Sequence, residues 1–349
     1  MKRFSGRRQA QRKWHARYRD RKRKARLRKK GRPGVVERWA KLAPIDCVAA
    51  PRLLYLFRKS THQVVTEFLK KLRRSFALAG ITTVIDLSKV DRLLPAGTLL
   101  FYAELHRLIR LFPNKSFKFI KSRDDVVNQV LEHLKVFALA GYSSGAVPKR
   151  DDVISWRTAT SVITDGKPAG ELIETYESLS RAEIRHIFRG VSEAATNAVE
   201  HAYVAGRGDG LPAFDESRWW MFCRESENRL YVGVCDLGVG IPKSLPKTYG
   251  EELLAWVFKA FSLGSMSEDA SMIRAAMEIA RTRTDQEERG KGLGDMRQVV
   301  DQLPGSKLYI FSNKGLLTYE NGEFGLRQYA NSIFGTMVVW IIPVEGAKE

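Results

Sequence analysis

Three short segments, in fixed order across the C-terminal half of the chain, constrain the fold more than any other feature. They are Glu193-Ala-Ala-Thr-Asn197-Ala-Val-Glu-His201, Asp236-Leu-Gly238-Val-Gly240-Ile241 and Gly290-Lys291-Gly292-Leu293-Gly294. Each is a common local pattern. Their order asks for a helix, then a strand ending in a glycine turn, then a glycine loop opening a second helix.

The first segment belongs to a helix. Ser180 stands three residues before Glu183, the spacing of a capping box. Ile184, Ile187, Phe188, Val191, Ala194, Ala195, Ala198 and Val199 then recur at helical spacing and give one apolar stripe. Glu193, Asn197 and His201 follow at i, i+4 and i+8. Each step drifts by only ~40°, so the three share one narrow face. An Asn amide oxygen is a hard neutral donor suited to Mg²⁺. A Glu one turn away can orient or deprotonate a water. An amphipathic helix with a solvated polar face would show the same spacing.

The second segment ends a strand, in which Leu230, Val232 and Val234 alternate on one face. Asp236 follows as an acceptor that can take a hydrogen bond from an adenine amino group. Gly238 and Gly240 let the backbone turn and approach a base. The third segment precedes a helix expected over Asp295 to Leu303. Backbone N–H groups there, with Gly290, Gly292 and Gly294, can wrap an anion, and Lys291 adds a point charge. The spacing is neither a Walker loop nor a Rossmann fingerprint.

Together the segments resemble the N, G1 and G2 boxes of the GHKL ATPase superfamily, which contains DNA gyrase, a heat-shock chaperone, histidine kinases and mismatch-repair ATPases. The resemblance covers about residues 155–345. It implies the Bergerat α/β sandwich, with helices on one face of a mixed sheet, and it implies ATP and Mg²⁺. By position, Asn197 matches the Mg²⁺ ligand, Glu193 the general base and Asp236 the adenine reader. Gly238 and Gly240 match its supporting turn, and Gly290, Gly292 and Gly294 the phosphate loop at a mobile lid. Gly335-Thr336, before the apolar run Met337 to Ile342, resembles the last strand, whose Thr can face the phosphates. The stretch between Gly240 and Gly290 is long enough for the lid.

Residues 1–32 hold 17 of the 59 Lys/Arg and one of the 39 Asp/Glu, which leaves 42 against 38 in the remainder. The high net charge of +20 therefore comes from an arm. Such a block repels itself and suits nucleic acid, through counterion release and stacking by Trp14 and Tyr18. An anionic membrane surface would also attract it, and a solubilising tail would look the same.

Between arm and ATPase-like region, strands are expected at Leu53–Phe57, Thr82–Leu87 and Phe117–Ile120, and helices at 61–78, Pro95–Phe112 and Asp124–Leu139. Alternating strands and helices predict an open α/β layer. The stretch Asp86-Leu-Ser88-Lys-Val90, with Pro95-Ala96-Gly97 after it, resembles a degenerate STAS domain over about 48–140, a family found in anti-sigma-factor antagonists. That family's phosphoacceptor serine falls on Pro95, which has no hydroxyl, and its preceding Asp on Leu94. The resemblance then implies a docking or scaffold version with a protein partner, and Ser88 reads as a turn residue.

The expected division is a basic arm at 1–34, a STAS-like domain at 35–141, a linker at 142–155 and an ATP-binding domain at 156–349. No apolar run approaches the ~18 residues of a membrane-spanning helix. Three cysteines without a CxxC suit a reducing compartment, so a cytoplasmic protein is expected. Trp219 and Trp220 read as core aromatics, and His62 and His106 as packing or surface residues. The leading functional expectation is a nucleotide-gated regulatory switch with slow Mg²⁺-dependent ATP hydrolysis, with a homodimer left open. The alternatives are an anti-sigma-type serine/threonine kinase and an ATP-binding scaffold without turnover.

Overall fold

A computed structural model describes residues 44–164, 166–282 and 292–344. The basic arm, Gly290 and Lys291 lie outside the described residues.

The first part of the described chain is the expected α/β layer. Its parallel sheet has the order β1 (Ile45–Ala49), β3 (Thr82–Asp86), β5 (Phe117–Ile120), and a two-residue β2 (Leu53–Leu54) pairs with β4 (Arg92–Leu93). The helices are α1 (Lys59–Ala77), α2 (Pro95–Leu111) and α3 (Asp125–His133). Strand β1 was not anticipated, and the apolar run Leu53–Phe57 yields only two strand residues. Leu54 and Leu56 are apolar because both are buried in the core, a pattern that burial alone produces without a long strand. Helix α3 starts where Asp124 accepts the Val126 and Val127 amides. It stops short of the expected Leu139 because Lys135 takes a positive φ of 58°, and a 3₁₀ turn follows at Phe137–Ala140. Asp86 Oδ1 accepts from the Ser88 amide at 2.9 Å, which makes Ser88 a turn residue. Pro95 opens α2, and Thr98 beside it is fully buried.

The second part is a seven-stranded sheet in the order β11 (Glu323–Gln328), β10 (Gly315–Glu320), β9 (Lys307–Ser312), β12 (Thr336–Pro343), β8 (Arg229–Asp236), β7 (Trp219–Ser226), β6 (Trp156–Ser161). Every pairing is antiparallel, which corrects the expectation of a mixed sheet. The cause is local. Two-residue turns at Glu227-Asn228 and Asn321-Gly322, all with positive φ, join β7 to β8 and β10 to β11, and such turns join only antiparallel neighbours. The last strand, β12, then inserts between β8 and β9.

Alternation sorts the side chains of this sheet. Trp219, Met221, Val232 and Trp340 pack on one side with α5 (Lys167–Ile173), α6 (Arg181–Asn197) and α10 (Gly292–Gln302). Trp220, Phe222, Cys235 and Val339 face the other way and share a core with Leu99 and Phe101 of α2. Helices therefore cover both faces, where the resemblance implied one. The connection over 142–150 is pinned to the first layer, with the Ser143 hydroxyl donating to Glu132 at 2.6 Å and Tyr142 packed among Phe119 and Phe137. A short α4 (Asp151–Ile154) leads into β6. Helices α7 (Ile241–Tyr249), α8 (Glu251–Ala260) and α9 (Asp269–Thr282) build a small core of their own around Leu245, Leu254, Val257 and Met272. They occupy the stretch expected to form a lid. No helix among the described residues is long and apolar enough to cross a membrane.

Candidate functional site

Helix α6 begins with the expected capping box. Ser180 Oγ accepts from the Glu183 amide at 3.3 Å, and Glu183 Oε2 accepts from the Ser180 amide at 2.7 Å. Ile187 and Val191 fix the helix to the sheet, which turns Glu193 and Asn197 towards the end of β8. The helix then widens into a π turn at Ala198–Ala202, an irregularity often found at functional sites.

Asp236 closes β8 and is almost fully buried. Its Oδ1 accepts from the Gly238 amide at 2.9 Å and the Thr336 amide at 3.2 Å. Burial pushes its carboxyl up to about 6, against these hydrogen bonds, which favour the charged form. Two oxygens with two lone pairs each leave acceptor capacity for a further donor. Thr336 Oγ1 lies 3.0 Å from Ser312 Oγ, which accepts from the Ile241 amide at 2.8 Å, so three chain segments are tied around the carboxylate.

Of the two glycines after Asp236, Gly238 has a different reason from the one expected, while Gly240 makes the expected turn. A Cβ on Gly238 would sit 2.1 Å from the Ala202 carbonyl oxygen, so this glycine admits the end of α6 rather than a ligand. Gly240 has φ +80° and starts α7, with Asn313 and Ser312 against it.

These elements enclose a cavity of about 860 Å³. Glu193, Asn197, His201, Asp236, Gly240 and Thr336 all line it. Val234, Val338, Leu245, Ala280 and Met296 give it an apolar wall. A few convergent polar groups in an apolar cavity of this size are the usual make-up of a small-molecule site. Gly238 stands outside the lining. Gly292 and Gly294 lie in the first turn of α10, whose Leu293 and Met296 reach the cavity.

Glu193 is half-buried. Burial raises its carboxyl above the ordinary value, Asp295 adds to the rise, and Arg189 opposes it. Arg189 is held 3.0 Å from Asp295. A carboxylate with raised proton affinity is a better base than a solvated one. Asn197 Nδ2 is buried without a partner, and a half-turn of the carboxamide would place its oxygen there instead. Among the described residues no cluster of three or more His, Cys, Asp or Glu could hold a metal ion. Mg²⁺ does not need one, since it is commonly held by one or two protein oxygens together with substrate phosphates and water, so a single carboxamide fits.

Sequence reasoning missed Ser244 and Thr248, which line the cavity at i, i+4 on α7, and Tyr203. The Tyr203 hydroxyl accepts from the Leu237 amide at 3.1 Å and steadies the turn. The i, i+4 spacing was a readable signal for Ser244 and Thr248. Tyr203 left none, because its partner lies 34 residues away. No known protein-family profile matches the chain, and a search of curated protein sequences found no significant match.

Proposed function

We propose that this chain binds ATP and acts as a nucleotide-gated regulatory switch of the GHKL type, with slow hydrolysis. The observation that carries this reading is that Glu193 and Asn197 of one helix, Asp236 and Thr336, from three separate parts of the chain, line one cavity. Asp236 accepts the adenine amino group while Thr336 and Gly238 hold the carboxylate in place. Val234, Val338 and Leu245 take the faces of the ring. Asn197 would hold Mg²⁺. When bound there, the ion would supply neutralisation of phosphate charge. Glu193 orients the attacking water and takes its proton. The first turn of α10, with Gly292 and Gly294, offers backbone N–H groups to the phosphates. The α/β layer and the basic arm at 1–32 connect the switch to a protein partner and to nucleic acid.

Thermal denaturation with and without MgATP tests binding, since a ligand specific to the native state must stabilise it. Asp236→Asn should weaken ATP far more than bare triphosphate, and equal loss of both would make the aspartate structural. ATP labelled at the γ-phosphate separates the outcomes of turnover in cell extract. Free phosphate supports the switch, transfer to one protein supports the serine/threonine kinase, and neither supports a scaffold. Truncation of residues 1–32 should remove nucleic-acid binding, whose log affinity should fall with log salt by about 0.9 per duplex phosphate neutralised.

A further inference from the structure

A second cavity, of about 680 Å³, lies where α1 of the first layer meets the loop at 208–211, the start of α7 and the turns at 313–314 and 330–334. Its charge is one-sided. Lys70, Arg73, Arg74, Lys243 and Lys314 line it, against Glu67, Asp209 and Asp269.

All three carboxylates are already engaged. Asp209 takes Arg107 at 2.9 Å and Arg207 at 2.6 Å. Asp269 Oδ2 accepts from the Lys314 amide at 2.8 Å. Glu67 faces Lys70 at 3.8 Å and accepts from Asn331 at 3.3 Å. Among the described residues, neither Arg74 nor the Lys314 ammonium has a carboxylate partner.

Behind the cavity the excess continues into the interior. Arg73, Arg107 and Arg207 share only Glu104 and Asp209, and all five side chains are buried. Burial would raise the Glu104 carboxyl, but Arg207, Arg73 and Arg107 hold it down at about 2, so it stays ionised. Three buried guanidiniums against two carboxylates leave a positive field in a poorly screened place, which favours a bound anion. The remaining lining is of two kinds. Leu78, Leu211 and Phe334 are apolar, while Asn331 and Ser332 are neutral hydrogen-bonding groups.

We propose that this cavity binds a small organic phosphate. Its dianionic group meets Arg74, Lys243 and Lys314, and a compact apolar or aromatic moiety packs against Leu78, Leu211 and Phe334. A phosphate dianion answers more than one unpaired cation, and a guanidinium can grip it through two parallel hydrogen bonds. The site is independent of the nucleotide reading, because none of its cations lines the first cavity. The two are nonetheless neighbours. Asn313 lines the second cavity and donates to the Val239 carbonyl at 2.8 Å, next to Gly240 of the first.

Calorimetric titration of the intact chain with phenyl phosphate, inorganic phosphate and a short polyglutamate peptide tests this. Phenyl phosphate should bind one to one and more tightly than inorganic phosphate. The double variant Arg74→Ala, Lys314→Ala should lose at least about tenfold in affinity. Both residues are exposed, so the melting temperature should hold, and the exchange Arg74→Lys with Lys314→Arg should restore much of the binding. Asn197→Ala should leave phenyl phosphate binding unchanged. Absence of binding by either phosphate overturns the proposal. So does binding that survives the double variant but is lost in Asn197→Ala, which would place the phosphate in the first cavity. Preference for polyglutamate over phenyl phosphate also overturns it, in favour of an acidic protein partner.

Discussion

Strands β7, β8 and β12 present one face to α2 and the other to α6 and α10, and the two faces end differently. Towards α2, Trp220, Phe222 and Val339 meet Leu99, Phe101 and Tyr102, and the ring of Tyr102 lies 5.3 Å from that of Phe222. That side is filled. Towards α6, Val234 and Val338 belong to the core and also line the cavity, so packing stops at the ends of their strands. Asp236, Thr336, Asn197 and Glu193 gather where it stops. The lesson is a division of labour within one sheet. The sealed face contributes stability, and the incompletely packed face keeps room for polar groups that a dry core would have to exclude.

Substitutions on the two faces should therefore separate function from stability. The largest effect is expected from Glu193→Ala. If Glu193 is the base, phosphate release should slow by ~10²–10⁴-fold while ATP still binds and the denaturation midpoint barely moves. A hydrolysis rate equal to that of the parent chain would remove Glu193 from the chemistry.

On the sealed face, Leu99→Ala should cost about 3 kcal/mol in a urea titration, since a fully buried leucine leaves a cavity behind. Nucleotide affinity measured well below the new midpoint should stay within about threefold, as one fixed face requires little of the other. A large loss of affinity would show that the faces are coupled through the sheet.

The third effect depends on pH. The Asp236 carboxyl sits at about 6 in the folded chain, above its ordinary 3.8. Only the ionised form accepts on both oxygens, so ATP affinity should fall by about tenfold for each pH unit below 6. Stability should move the other way. The folded state binds this proton more tightly than the unfolded state, so the contribution of Asp236 to stability rises as pH falls from 6 towards 4. The difference between the parent chain and Asp236→Asn isolates the group from other carboxylates. An affinity flat between pH 7 and 5 would place adenine recognition elsewhere.

The smallest effect belongs to Ser180→Ala, which removes the cap of α6. About 1 kcal/mol of stability should be lost, with the cavity residues two turns and more away keeping their function. A selective loss of ATP binding would mean that the cap positions Glu193 and Asn197.

Much of the second layer was legible because its signals are local. The Ser180–Glu183 box, the apolar stripe of α6 and the alternation of Leu230, Val232 and Val234 each lie within a few residues, and each appears in the structure where the sequence put it, except that Phe188 of the stripe is exposed. The face shared by Glu193 and Asn197 was also readable, because helical spacing fixes it, while His201 reaches the same cavity from the π turn. The expected strand at Leu53–Phe57 came out short because an apolar run reports burial without saying which element buries it. The role of Gly238 was misread for a similar reason. Its sequence asks for a residue without a side chain, and only the fold shows that the Ala202 carbonyl is what needs the space.

The sequence by itself determined the periodicities, the caps and the tight turns that make neighbouring strands antiparallel, since these depend on backbone geometry over a few residues. Tertiary structure alone decided that β12 enters between β8 and β9, and that α2 seals the face opposite the cavity. It alone brought Arg207 to Glu104, 103 residues away in the chain, and Thr336 to Asp236, 100 away. Such pairings rest on which apolar faces and buried charges complement one another in space. No spacing in the sequence encodes that complementarity.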